Sequence, residues 1–275
     1  MSSVFVFLVS IAAGLVGAVS GMGGGVVLIP ILTAAGIDIK RAIALSILSV
    51  IAVSNGAASH YVRRHIPNLK VGAFFEVFAV IGSLVGASLT VVSGQRTLFL
   101  LCGSLLIGSC ATFWRRRNDP WRSAVPQDAL SRQLALEGSY YDEAEQRTIA
   151  YRGGRTSLSG LLMFGAGLVS GWLGIGGSAL TVLVHAVVMG LPPKVSVTMS
   201  NLIIGVMALA GASVYLEAGL INSALAVPVI LGVPLGALVG SKLLVGATNR
   251  IVRIVCLSVL LVLGMEMLTH GIRGV

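Results

Sequence analysis

The residues with the most chemical potential in this chain are glycines. "SGMGGGVVLIP", residues 20–30, sets Gly21, Gly23, Gly24 and Gly25 inside an apolar run that begins near Val4. Glycine in a helix interior costs roughly 1 kcal/mol against alanine, so the run reads as a helix that breaks there. The piece restarting after a break exposes backbone N–H groups at the positive end of its dipole, and these favour an anion. Gly23, Gly24 and Gly25 let the backbone turn and approach a ligand closely. "GWLGIGGS" repeats the device at Gly176, Gly177 and Ser178, the serine adding a hydroxyl donor. Two such starts meeting near a bilayer midplane make a small, neutral, donor-lined anion site.

Side chains extend this list. "SVTMSNLIIG" places Ser196, Ser200 and Asn201 on the helix after the second break. The Asn201 amide offers two donors and suits an oxyanion. Ser46, Ser49 and Asn55 lie on the corresponding helix of the first half. The plainer role for all of these is packing, since glycines and hydroxyls commonly join helices in membranes. A break that occurs twice favours binding; the serines stand evenly between the two roles. The ionisable groups in apolar segments are Glu76, His185, Lys242, Glu266 and His60. Charge at membrane depth is costly and so is a functional candidate. His185, about two turns beyond the second break, suits a proton relay or an anion neighbour; its plainer role is a neutral imidazole bonded to a neighbouring helix. Glu76 is a second relay candidate, with an interfacial position as the alternative. Lys242 can snorkel to an interface. Cys102 and Cys256 read as small hydrophobes. No metal-ligand set, cofactor motif, HExxH pair or G-x-S-x-G elbow is present, so the expectation is no metal, no cofactor and no enzymatic activity.

These residues sit on a chain that cannot face water over most of its surface. Of 275 residues 56% are hydrophobic and 11% charged, against about 25% charged in soluble domains. Nearly half of the charged residues fall between Trp114 and Ser157. The reading is an all-α integral membrane protein in a lipid bilayer. Its net charge of +9 requires no nucleic acid, because basic residues gather on cytoplasmic loops. No Lys or Arg precedes Lys40, so the start lacks the basic region of a signal peptide.

Apolar segments run at 4–19, 25–35, 42–62, 71–93 and 97–113, and again at 158–173, 178–191, 195–216, 220–245 and 251–269. "GLVGAVSGMGGG" from Gly14 matches "GLVSGWLGIGGS" from Gly167 at an offset of 153. The offset then becomes 154, pairing Gly36 with Gly190, Ser46 with Ser200, Tyr61 with Tyr215, Gly82 with Gly236 and Cys102 with Cys256. This is a duplication: 1–113 is the first transmembrane repeat, 114–157 a linker and 158–275 the second repeat. Loop charges orient the halves. Arg63, Arg64 and Lys70 follow the 42–62 helix, whereas the loop at Glu217 has no base and the next region carries Lys242, Arg250 and Arg253. Equivalent loops therefore face opposite sides. The expected architecture is two inverted repeats, each a glycine-broken first unit (re-entrant or two short spans) plus three full transmembrane helices. Inverted repeats with matched broken helices are the mark of secondary transporters. The linker is placed in the cytoplasm and both termini outside. In the linker, "DALSRQLALEG" reads as a short amphipathic helix capped by Asp128 and stopped at Gly138, "SYYDEAEQRTIAYR" as a small hairpin, and the whole as a tether.

The paired "SGMGGGVVLIPIL" and "SGWLGIGGSALTVL", with "KVSVTMSNLIIGVMALAGASVYL" and the linker "LALEGSYYDEAEQRTIAYR", resemble the TauE/SafE sulfite exporter family over essentially the whole chain. The resemblance implies a carrier of small sulfur oxyanions or organosulfonates, such as sulfite or sulfoacetate, coupled to the proton gradient of the plasma or inner membrane. It also raises Asn201 above the other side chains. The second half departs from the pattern: Ser178 replaces the third glycine, Leu183 stands opposite Pro30, and His185 stands where a small residue or an acid is typical. The expected partners are a small anion and lipid, with room for a homodimer, and the two halves are expected to rock about the substrate. The alternatives are another small anion, import rather than export, a cation or metal carrier, an intramembrane enzyme, and a scaffold without cargo.

Overall fold

A computed structural model describes residues 3–20, 23–63, 69–115, 127–134, 136–142, 146–174, 176–246, 261–262 and 264–273. The readings that rest on Gly21, Arg64, Arg250, Arg253 and Cys256, or on the side chains of Asn55, His60, Arg63, Lys70, Ser178 and Lys242, lie outside the described residues.

The chain is mostly helical. The first half gives α1 (Ser3–Ser20), α2 (Gly25–Ala34), α3 (Ile39–Arg63), α4 (Leu69–Val92) and α5 (Gln95–Arg115). The linker supplies α6 (Ala129–Gln133) and the antiparallel strands β1 (Glu137–Asp142) and β2 (Arg147–Arg152). The second half gives α7 (Thr156–Leu173), α8 (Ser178–Leu183) running on into a π-turn (Val184–Val188), α9 (Pro193–Glu217), α10 (Ser223–Gly246) and α11 (264–273). Three described stretches, Val71–Val92, Thr156–Leu173 and Thr198–Glu217, are long and apolar enough to cross a membrane. Their outer faces are bare hydrocarbon: Val77 is 57% exposed, Leu161 67% and Leu209 60%. Such a surface suits lipid and not water.

The two halves interleave. α1 packs along α10 and α4 along α7, while α3 and α9 meet in the centre. The contacts follow the internal repeat residue by residue. A Cβ at Gly14 would collide with the Val233 carbonyl, and one at Gly167 with the Ala79 carbonyl. Likewise Gly236 abuts the Ile11 carbonyl and Gly82 that of Phe164. Each pair maps on the other when the halves are exchanged. Backbones this close need glycine, as in other small-residue helix crossings. The tightest packing therefore runs between the two halves and not within either.

The described part of the linker is bonded to the start of α7. Asp128 accepts from the Ser131 amide, capping α6, and also from the Thr156 amide and hydroxyl at the start of α7. Burial opposes the charge on Asp128, yet these hydrogen bonds outweigh it and hold the carboxyl below its ordinary range. The α6 helix ends at Gln133 and not at Gly138, which correction has a physical cause. Leu136 turns its carbonyl to the Gly153 amide and Gly138 pairs with Tyr151 in the hairpin, so the backbone groups that would extend the helix are taken by β2. The hairpin is thus present as expected, which corrects the all-α expectation: among the described residues the linker carries two strands and the remainder is helical. The Gly154 amide donates to the Met189 carbonyl, and Leu136, Tyr151, Met189 and Leu191 are buried.

Candidate functional site

Both breaks expected from the glycines are present. α1 stops at Ser20 and α2 starts at Gly25; α7 stops at Leu173 and α8 starts at Ser178. The repeat-equivalent Gly23 and Gly176 both have positive φ, +77° and +85°, a conformation that glycine adopts without strain. α2 is ten residues long, about 15 Å at 1.5 Å per residue. That is half of a ~30 Å hydrocarbon core. Residues Gly25–Pro30 and Leu32 are all buried, so α2 is an internal half-helix packed on α1 and α3. Irregular backbone at membrane depth is tolerated only inside protein or beside water, and here it is inside.

The second unit differs in one respect. Gly25 to Gly36 spans eleven steps, whereas Ser178 to Gly190 spans twelve. The structure absorbs the extra residue in the π-turn, where the Met189 amide reaches back five residues to the Val184 carbonyl. π-turns of this kind recur at functional sites. This one carries His185, whose ring is fully buried. Its Nδ1 lies 3.1 Å from Ser200 Oγ on α9, and Phe75 of α4 stands edge-on with ring centroids 6.2 Å apart. Its Nε2 has no hydrogen-bond partner. The sequence indicated His185 as a titratable group but not the turn; the change of offset between the repeats was the signal for it.

The central helices brace both breaks. Ser46 of α3 shares its hydroxyl between the Ile43 carbonyl and, at 2.8 Å, the Gly174 carbonyl that ends α7. Ser49, one turn on, faces Gly24. Ser46 therefore holds the second break in place, and its proton is committed to backbone. Ser200 is committed to His185. Asn201 differs: its carbonyl accepts from Ser54 Oγ of α3, but its half-buried amide side chain makes no hydrogen bond among the described residues. Gly177 begins α8 at φ +56°, with Ser170 of α7 against it. Glu76 of α4 is half-buried, with Oε1 buried and unpartnered; no hydrogen bond joins it to either break. Sequence reasoning missed Ser170, whose repeat position holds Gly17, and also the hydroxyl cluster of Tyr215, Thr90 and the Gly171 and Trp172 carbonyls behind the second break.

Among the described residues no group of three or more His, Cys, Asp or Glu could hold a metal ion. The arrangement offers instead two glycine turns, the helix starts that follow them, an uncommitted amide at Asn201 and an uncommitted imidazole nitrogen at His185.

A family model described as "Sulfite exporter TauE/SafE" matches residues 6–267. The chain is 24% identical over 282 residues to a probable membrane transporter protein, YunE, of Bacillus subtilis (strain 168), covering 99% of each. It is 28% identical over 238 residues to a second, YdhB, from the same organism, covering 86% of each. No solved structure matches the chain.

Proposed function

The chain belongs to the TauE/SafE sulfite exporter family and is a membrane transporter, and from that premise we propose that its cargo is a small sulfur-containing anion, sulfite or an organosulfonate, exported with the proton gradient. The observation that carries the reading is the pair of buried, repeat-equivalent helix breaks with positive-φ Gly23 and Gly176. Amides at the starts of α2 and α8 offer fixed donors to an anion without a compensating charge. Gly24, Gly25, Gly177 and Ser178 flank them, and Asn201 adds an amide that no described residue engages. His185 is the proton-site candidate: Nδ1 meets Ser200 and Nε2 has no hydrogen-bond partner. Glu76 is the second candidate on the proton route.

In this reading the repeats are inverted, the linker is cytoplasmic and both termini lie outside. The interleaved packing changes the motion expected from sequence. The moving bodies are the crossed pairs α1–α10 and α4–α7, turning about α3 and α9, rather than the two halves of the chain.

Sulfite uptake into proteoliposomes, with a pH gradient imposed and then removed, tests this. Uptake that follows the gradient and falls at least tenfold in Asn201→Ala is the expected result. Flux of sulfoacetate, thiosulfate or sulfate without sulfite would keep the anion site and change the cargo. Absence of flux for every oxyanion would overturn the reading and return the glycines to packing.

A further inference from the structure

Buried hydroxyls among the described residues follow one pattern, which is to have a partner. Ser10, Ser49 and Thr198 donate to carbonyls of their own helices, Ser54 and Ser83 to carbonyls of α9, Thr156 to Asp128, and Ser200 meets His185. Ser170 breaks it. It is 1% exposed and its Oγ has no hydrogen-bond partner. A helix serine reaches the carbonyl one turn back with little effort, so a hydroxyl buried without one is costly.

The place it occupies is specific. Ser170 is in the last turn of α7, and its own carbonyl accepts the Gly174 amide that closes the helix. A Cβ built on Gly177 would lie 2.8 Å from Ser170 Cβ and 3.3 Å from Oγ. The hydroxyl therefore stands over the positive-φ turn from which α8 departs. In the first half the equivalent residue is Gly17, and its α-carbon is pressed against the Gly23 and Gly24 backbone, where a Cβ would come within 2.7 Å. That half fills the space with main chain. The second half fills it with a polar atom that the protein itself does not engage. The imidazole of His185, with its unpartnered Nε2, belongs to the same broken unit. The two breaks share a positive-φ glycine at Gly23 and Gly176 but differ in what stands over the turn.

We propose that Ser170 is a substrate ligand, its hydroxyl donating to an oxygen of the transported anion at the second break. The assignment rests on the reading of the breaks as an anion site. It names the ligand chemistry as a small oxyanion within reach of the Ser170 hydroxyl, beside the Gly176–Gly177 turn and not between the two.

Wild type and Ser170→Ala are compared in proteoliposomes for sulfite flux, and in detergent for thermal unfolding with and without sulfite. The expected result is a sulfite KM raised by about tenfold in the variant, in line with loss of one hydrogen bond to a charged partner. Its unfolding temperature without ligand should be unchanged or higher, because no protein hydrogen bond is lost. The upward shift that sulfite gives the wild type should shrink in the variant, as weaker binding requires. An unchanged KM overturns the proposal, whether Ser170 proves to hold an internal water or nothing at all. A lower unfolding temperature with an unchanged KM would make Ser170 a structural residue. If wild type moves sulfite and the variant moves it equally well, this assignment alone falls. If wild type moves no oxyanion, the anion site falls with it.

Discussion

Gly24 and Gly177 occupy equivalent places in the two repeats, yet alanine should affect them very differently. Gly177 has φ +56°, and a Cβ there would lie 2.8 Å from Ser170 Cβ and 3.1 Å from the Ala166 carbonyl. Left-handed backbone costs an L-residue roughly 1–2 kcal/mol, and overpacking a filled site adds about 1–3 kcal/mol. Gly177→Ala should therefore destabilise by about 2–5 kcal/mol. Gly24 has φ −70°, and its Cβ would meet the Ser49 side chain at 3.0–3.2 Å and the Ala13 carbonyl at an ordinary 3.4 Å. Alanine there is free of backbone strain and restricts the unfolded chain, a gain of ~0.4–1 kcal/mol, so the net effect should lie within about 1 kcal/mol of zero. Gly36 separates the two causes: its φ is +85° but nothing lies within 4 Å of a Cβ. Gly36→Ala should show the backbone cost alone, about 1–2 kcal/mol. Equilibrium unfolding of the three variants in mixed micelles measures the order Gly177, Gly36, Gly24. A Gly24→Ala loss as large as that of Gly177→Ala would refute the argument. It would mean that symmetry of sequence, and not local backbone geometry, governs the breaks.

Two further outcomes follow from the hydrogen bonds around the second half. Asp128→Ala removes the cap of α6 and the acceptor for the Thr156 amide, so amide exchange at Ser131 and Thr156 should speed up roughly fivefold or more at neutral pH, as expected for about 1 kcal/mol of lost capping. The folded carboxyl titrates below its ordinary 3.8. Its contribution is therefore complete above that value and is lost as pH falls through the folded pKa; wild type and variant should converge in acid and nowhere else. Tyr215→Phe removes the hydroxyl that donates to the Gly171 carbonyl and meets Thr90 Oγ1 at 2.9 Å. It should cost about 1–2 kcal/mol in unfolding, whereas Ser213→Ala, on an exposed face with a bond only to its own helix, should cost little.

Much of this protein could be read from sequence because the relevant physics is local. Composition alone excluded a water-facing surface, since 11% charge cannot cover one. The glycine clusters marked both breaks, because few residues other than glycine turn a backbone at positive φ inside an apolar run. The offset of 153 and then 154 revealed the duplication, and in hindsight the step between them located the π-turn at Val184–Val188. The short helix after Asp128 was predicted too long because capping signals are local, while its end was set by pairing with β2 fourteen residues further on.

What sequence could not decide was which partner each polar group takes. Ser46 and Ser200 are equivalent in the repeats, but Ser46 donates across 128 residues to the Gly174 carbonyl while Ser200 meets His185. Among the described residues, the Asn201 and Ser170 side chains are left without partners. The same holds for the pairing of α1 with α10 and α4 with α7, which a reading of two rocking halves does not foresee. Local pattern determines where a helix breaks and what faces lipid; only the tertiary structure, by bringing distant backbones into contact, decides which donors are spent on the fold and which remain for a ligand.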